Sequence, residues 1–419
     1  MYNILFDFIS KCNILSLNQY GFRPGHSTSS ALIDFVHTVV NALDNKKYMI
    51  AMFLDLKKAF DTVDHAILLH KLELYGIRGI VLKLFESYLS NRKQYVEISK
   101  CKSQQGTISC GVPQGSILGP LLFLLFINDL SKVSKLLHCI MFADDTSLFL
   151  SHPNCQDLHN LFNSELELIS EWFYANKMII NVAKTSYIIF SNLLIPDYLS
   201  IRLCNTDIKC VTSVKFLGIT IDHKLTWKNH IDSLCNKLAK NIGIMYCLRS
   251  FPKEILKMIY YAIVYPYLNY GILVWGNASN NHIDRLFILQ KRAIRNMSHA
   301  PYLAHTNPLF IESGVLKFHD MYVFQVLIFM YLCNNHLLPD YIKTFFQFNN
   351  EYHGYNTRNA NDFHLPKPRL SSFKNSILFQ GPQIWNSLSS DIKQAVSLNV
   401  FKSKSRHFIL DRYSPSLFF

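Results

Sequence analysis

Short apolar runs alternate with polar turns through the first half of the chain, and the runs fall into two lengths. Met49–Asp55, Cys139–Phe142, Thr146–Leu150 and Ser186–Phe190 are four to seven residues long and bounded by polar residues, which predicts buried strands. Gln94–Ser99 and Gln105–Ser109 alternate in the way that predicts a hairpin. Longer stretches carry the helical period: Ser29–Leu43, Ala59–Tyr75, Ile80–Leu89 and Ile117–Leu130. Leu158–Asn176 is the clearest amphipathic helix, with Leu158, Leu161, Phe162, Leu166, Ile169, Trp172 and Phe173 on one face. The second half is mostly helical, with Trp227–Arg249, Lys253–Leu268 and His282–Met297 leading. Mixed strands and helices followed by helices alone predict an α+β fold.

The chemistry sits where two strand pairs turn. Asp144 and Asp145 lie between the apolar runs Cys139–Phe142 and Thr146–Leu150, and Asp55 closes the run Tyr48–Leu54. An Asp-Asp pair is also an ordinary exposed turn. Desolvating neighbouring like charges is costly unless cations neutralise them, so the third carboxylate in a matching setting points to metal. Magnesium suits all-oxygen sites that share ligands with phosphates. Two ions roughly 3.5–4 Å apart can activate a hydroxyl and neutralise a leaving pyrophosphate. Between these acids lies a glycine-rich box, Gly111-Val112-Pro113-Gln114-Gly115-Ser116-Ile117-Leu118-Gly119-Pro120, whose glycines allow backbone to approach a ligand.

Here a family resemblance becomes specific. Phe53-Leu54-Asp55-Leu56-Lys57-Lys58-Ala59-Phe60-Asp61-Thr62-Val63 resembles motif A of reverse transcriptases. The glycine-rich box resembles their motif B, and Phe142-Ala143-Asp144-Asp145 their motif C, in matching order and spacing. The variants resemble the non-long-terminal-repeat (LINE-type) retrotransposon branch, most like jockey and related clades. The resemblance implies a right-hand polymerase palm with partial fingers, followed by a helical thumb and a C-terminal region. It implies RNA-directed DNA polymerase activity: extension of a primer 3′-hydroxyl with deoxynucleotides on an RNA template, with two magnesium ions (manganese as a substitute). Asp55 and Asp144 would bridge the metals, with Asp145 beside them. Phe60 matches the aromatic gate that leaves no room for a 2′-hydroxyl, although Ala59, Phe60, Val63, Ile67 and Leu68 would also form a plain apolar helix face. Gln114 and Gly115 would meet the incoming nucleotide and template.

Three further segments resemble the family less specifically. Asn176-Lys177 through Thr185 resembles motif D, with Lys184 either near the departing pyrophosphate or a solvated lysine before the next strand. Phe216-Leu217-Gly218-Ile219 resembles the primer-grip hairpin. Gln19–Thr28 resembles the segment upstream of motif A, where Arg23 meets template phosphate, braces the fingers or forms a structural salt bridge.

Charge sharpens this picture. The net charge is +13, yet residues 1–214 carry 19 Lys/Arg against 18 Asp/Glu, while residues 215–419 carry 23 against 11. The basic half follows the acidic boxes, where a thumb would hold duplex phosphates without reading sequence. Its densest helix segment, with Lys291, Arg292 and Arg295, is the candidate contact, against the alternative of a solvated face. Ten cysteines without a Cys-x-x-Cys pair predict no zinc site and no disulfide framework, and reduced thiols predict an intracellular protein, nuclear or cytoplasmic. No signal peptide opens the chain, and the late apolar stretch Met321–Cys333, broken by Gln325, is shorter than a membrane span.

The expected organisation is a fingers remnant over residues 1–48, a palm over 49–222, a basic thumb over 223–300, and a region without assigned role over 301–419. In the last, His353–Arg358 and Gly381–Asn386 stand out, with Lys367, Arg369 and Lys374 as further basic residues and Trp385 as a core aromatic. No Arg-Pro-Ile type fingers motif precedes Gln19, and no endonuclease is present, so the chain reads as a truncated copy. A catalytically inactive relic that at most binds nucleic acid is the alternative to an active polymerase.

Overall fold

The structure, a computed structural model, describes residues 1–196, 200–352 and 359–413. Two compact units emerge: residues 1–31 with 46–212, and residues 32–45 with 213–419. The observed boundary falls ahead of Ser213, where the sequence analysis drew it near His223. His353–Arg358 lie outside the described residues.

In the first unit, α1 (Tyr2–Lys11) precedes α2 (Thr28–Asp44), whose first turn belongs to this unit and the rest to the second. Strand β1 (Tyr48–Leu54) follows, then α3 (His65–Leu74) and α4 (Gly79–Leu89). A two-tier ribbon comes next: β2 (Arg92–Gln94), β3 (Glu97–Ile98), β4 (Cys101–Lys102) and β5 (Gly106–Ile108). Then come α5 (Leu118–Ile127), β6 (His138–Phe142), β7 (Asp145–His152), α6 (Cys155–Ala175) and β8 (Ser186–Phe190). A short pair, β9 (Arg202–Leu203) and β10 (Thr206–Asp207), precedes β11 (Lys209–Cys210). The main sheet has the order β11-β8-β1-β7-β6, antiparallel except for β11 beside β8. Ile50, Met52 and Leu54 of the central strand share one buried core with Phe85, Phe123, Phe126, Phe162 and Phe173 from the packed helices. β1 is therefore an almost continuous apolar run, as a strand in mid-sheet should be.

Two expected elements differ. The helix predicted over Ala59–Tyr75 is a single 3-10 turn, Ala59–Asp61, followed by a break and then α3. The carbonyls of Phe60 and Val63, which a continuous helix would need, accept the N–H groups of Val112 (2.8 Å) and Gly111 (2.7 Å). Asp64 then caps α3 by accepting the Ile67 N–H at 3.0 Å. The predicted hairpin partner of Gln94–Ser99 is also shifted: Gln105–Ser109 pairs with Arg92–Gln94 through β5, while β3 folds back on β4.

The second unit opens with a hairpin, β12 (Ser213–Phe216) and β13 (Ile219–Asp222), and continues as helices α7 (Lys228–Cys247), α8 (Lys253–Ile263), α9 (Tyr265–Asn269), α10 (Ile272–Trp275) and α11 (Asn280–Met297). The helix expected over Lys253–Leu268 breaks at Val264: Pro266 supplies no N–H for a carbonyl one turn back, and it sits instead in the first turn of α9, where none is needed. Helices α12 (Thr306–Ser313) and α13 (Phe318–Asn334) follow. Residues 306–334 are long and apolar enough by composition to cross a membrane. Left-handed Gly314 and the turn after it divide them, however, and α13 buries Phe318, Met321, Phe324, Leu327 and Met330 within this unit. Trp385 is buried, with its ring 5.9 Å from Phe401.

Candidate active site

Asp144 occupies a two-residue turn. Phe142 pairs with Asp145 across the β6–β7 ladder, leaving Ala143 and Asp144 between them. Ala143 lies in the left-handed region at φ 58°, a conformation that costs a residue with a Cβ about 1–2 kcal/mol. The segment before Gly21 compensates. Tyr20 N–H donates to the Met141 carbonyl (2.7 Å) and Met141 N–H to the Asn18 carbonyl (2.9 Å), which adds a parallel bridge along β6. Buried Gln19 accepts the N–H groups of both Ala143 (3.0 Å) and Gly21 (2.8 Å) on Oε1. Gly21 has to be glycine, since a Cβ there would lie 2.4 Å from the Ala143 nitrogen.

Asp55 follows the last rung of the β1–β7 ladder, Leu54 opposite Thr146, and so comes beside Asp145. The segment after α6 fixes it. Lys57 N–H donates to the Ile179 carbonyl, Asn181 N–H to the Asp55 carbonyl (2.7 Å), and the Asn181 side-chain amide to Asp55 Oδ2 (2.8 Å). Lys177 pairs with Asp64 at 2.7 Å, and that hydrogen bond is the main cause holding the Asp64 carboxyl below the usual range. Lys184 is exposed on this same segment.

The carboxylates feel one another. Asp145 is raised above the ordinary carboxyl range, first by burial and then by the charges of Asp144 and Asp55. Among the described residues no three His, Cys, Asp or Glu side chains converge closely enough to hold an ion by themselves. The all-oxygen donor set and its mutual repulsion fit hard cations that complete their shells with water and phosphate oxygens.

The glycine-rich box packs on the motif A turn. Gly111, at φ 90°, lies so close that a Cβ would meet the Asp61 carbonyl at 2.7 Å. Gln114 donates its side-chain amide to Asp61 at 2.8 Å. Gly115, at φ 76°, has open space around it. Phe60 is half-buried, stacked on Phe123 at 4.3 Å between centroids and edge-on to Phe22. Arg23 turns inward. Its guanidinium donates to the carbonyls of Ser16 and Gln19, and burial holds its pKa below the usual arginine value. Of the three roles open to it, the brace is the one these bonds support.

The remaining predicted residues belong to the second unit. Leu217 (φ 43°) and Gly218 (φ 81°) form the turn of the β12–β13 hairpin, with Tyr270 Oη donating to the Leu217 carbonyl at 2.7 Å. Phe216 is buried with its ring 5.5 Å from Phe35. Lys291, Arg292 and Arg295 do not form one contact face. The Lys291 ammonium lies 4.2 Å from the Phe287 ring centroid, Arg295 Nε donates to the Ala304 carbonyl at 2.9 Å, and Arg292 is exposed.

Residues 1–221 match the sequence profile of the family described as reverse transcriptase (RNA-dependent DNA polymerase). The chain belongs to the reverse transcriptase family. It is 30% identical over 314 residues to the RNA-directed DNA polymerase from mobile element jockey of Drosophila melanogaster, covering 72% of this chain and 34% of that protein. It is also 30% identical over 319 residues to the probable RNA-directed DNA polymerase from transposon BS of the same species, again covering 72% and 34%. The chain thus spans about a third of the length of these relatives. Apo telomerase from Candida tropicalis shares 14% identity at a TM-score of 0.43, covering 76% of this chain and 54% of that one, a likeness too slight to carry an argument. The sheet of the first unit lies within the matched residues, and helices make up most of the second unit. Asp55, Asp144 and Asp145 are the acids that the sequence puts forward, and the structure brings Asp55 beside Asp145 at adjacent strand ends. Gln19, Gly21, Asn181 and Asp61 are not singled out by the sequence, although all four lie inside segments that resemble the family.

A carboxyl raised in the folded state binds its proton more tightly there than in the unfolded chain. Its contribution to stability is therefore full at low pH and lost as pH rises through the folded-state value. Asp145→Asn removes that loss. In the absence of divalent metal the variant should melt above wild type at about pH 8, and the difference should close below about pH 4, the ordinary range of Asp. Thermal melting at both pH values checks this, and a variant no more stable at the higher pH contradicts it.

Proposed function

We propose that this chain performs RNA-directed DNA synthesis, extending a DNA primer 3′-hydroxyl with deoxynucleoside triphosphates on an RNA template. The observation that carries the reading is the convergence of Asp55 with the Asp144–Asp145 turn at adjacent strand ends, where burial first and then the charges of both neighbours raise Asp145. Asp55 and Asp144, with Asp145 beside them, would hold two magnesium ions (manganese as a substitute). When bound, such ions lower the pKa of an attacking hydroxyl and neutralise a leaving pyrophosphate.

The chain's own side chains prepare that place. Asn181 fixes one oxygen of Asp55, and the Gln19 clamp holds Asp144 in a turn that Ala143 would otherwise resist. Gln114, anchored to Asp61 by its amide, keeps its carbonyl oxygen for a base or sugar edge. Gly115 lets backbone approach the incoming nucleotide, and exposed Lys184 supplies a cation for the departing pyrophosphate. Phe60 serves core and substrate together, with one side of its ring on Phe123 and the rest left as a wall against a 2′-hydroxyl. In the second unit, the Leu217–Gly218 turn is the primer contact, and Arg292 is the residue of the basic helix free to meet phosphate.

Asp144→Asn should abolish primer extension on an RNA template while leaving hybrid-duplex affinity largely intact, because it removes a metal ligand and no phosphate contact. Extension equal to wild type would overturn the assignment. Duplex binding by wild type without any extension is what an inactive relic would show.

Phe60→Val should admit ribonucleotides by opening space beneath the sugar. Because the ring is only half-buried, its stability cost should be below the ~3–5 kcal/mol of truncating a buried aromatic. Ribonucleotide incorporation measured beside the melting temperature separates the roles, and a destabilised variant with unchanged sugar preference would leave Phe60 as core alone.

A further inference from the structure

The second unit holds a concave basic site of which the polymerase reading uses only Arg292. The C-terminal parts of α7 and α11, with the loop through Tyr302, enclose a cavity of about 320 Å³. Its lining includes Arg249, Arg292, Arg295, Tyr246 and Tyr302, and it contains no acidic residue. Arginines near helix C-termini have an ordinary purpose, since they offset the partial negative charge of the last carbonyls. Two of the three do serve the loop: Arg249 Nη2 donates to the Ala300 carbonyl (2.7 Å) and Arg295 Nε to that of Ala304 (2.9 Å). Those bonds also fix the two guanidinium groups in place while engaging one of five N–H donors on each.

Two observations go beyond helix capping. Among the described residues none of these three arginines pairs with a carboxylate, whereas Arg285, near the start of the same α11, pairs with Asp232. The two tyrosines hold their rings largely in solvent, Tyr246 at 62% and Tyr302 at 68% exposure, at the wall of this same cavity. Arg292 lies 6.0 Å from the Tyr302 ring centroid. Unpaired, pre-positioned guanidinium groups recognise phosphate oxygens bidentately. Exposed aromatic rings recognise the face of a nucleobase, which a continuous duplex hides in its stack and a single strand presents.

We propose that this cavity binds one nucleotide of a single-stranded nucleic acid, with its phosphate on the arginines and its base against Tyr246 and Tyr302. The site needs no metal and no strand end. It would hold an unpaired template or flanking strand on the second unit independently of the carboxylates of the first.

The test uses the full chain, without divalent metal or nucleotides, so its outcome is independent of whether extension occurs. Fluorescence anisotropy is read with a labelled single-stranded oligonucleotide, an abasic strand of equal length, and a blunt duplex. The variants are Tyr246→Leu with Tyr302→Leu, and Arg292→Ala, with melting temperatures confirming the fold. The tyrosine pair should weaken single-strand binding about tenfold and leave the abasic strand and duplex unchanged. Arg292→Ala should weaken the intact and abasic strands alike and reduce the salt slope by about one. Tyrosine variants that weaken all three ligands equally would make this a general backbone-gripping surface and overturn the base pocket. Binding unaffected by either variant would leave the arginines as helix caps and overturn the site altogether.

Discussion

The placing of three carboxylates at neighbouring strand ends is the constraint on which the site of the first unit depends. Asp55, Asp144 and Asp145 stand at the ends of neighbouring strands, and the raised carboxyl of Asp145 registers both burial and the other two charges. Such a cluster is unfavourable in the protein alone, and a protein keeps it only if the surrounding structure over-determines it. Here that surrounding structure is made of backbone ladders and two side-chain amides. Strand β1 is fixed on both sides by ladders, the Asp144 turn is clamped from the Gln19 segment, and Asp55 is bonded through its carbonyl and its carboxylate to Asn181.

The same economy explains how the separate boxes act as one site. Gly111 and Val112 take the carbonyls that a helix after Asp55 would need, so the motif A turn stays open and carries Phe60 and Asp61 to the glycine-rich box. Gln114 then ties itself to Asp61, and Lys177 ties the segment bearing Asn181 and Lys184 to Asp64. Each box is held by a neighbour far away in sequence. Displacing any one of them would therefore be felt at the carboxylates.

Much of this was legible in the sequence because apolar runs in the middle of a sheet have little freedom. β1, β6, β7, β8, α5 and α6 lie where their hydrophobic patterns put them, and the acids lie at the turns those patterns leave. Most of the differences share one physical cause, which is competition from distant parts of the chain. The helix expected over Ala59–Tyr75 has adequate periodicity, but Val112 and Gly111 claim its carbonyls from some fifty residues away. Gln19 and Gly21 act on a turn more than a hundred residues later, and periodicity has no means to report that. Arg23 has the charge of a phosphate contact, yet its bonds to two carbonyls make it a brace. At Pro266 the cause is local instead, since the proline ends the helical bonding that the periodicity alone extends to Leu268.

Whether the charges of Asp55 and Asp144 reach Asp145 is decided by the titration of Asp145 itself. Side-chain carboxyl signals followed by carbon-13 NMR across pH, in metal-free wild type and in Asp55→Asn, give that titration without relying on activity. The account predicts that the Asp145 midpoint lies above the ordinary Asp range in wild type and moves down toward it when Asp55 loses its charge. A midpoint that is normal in wild type, or one that is raised but indifferent to Asp55, would contradict it.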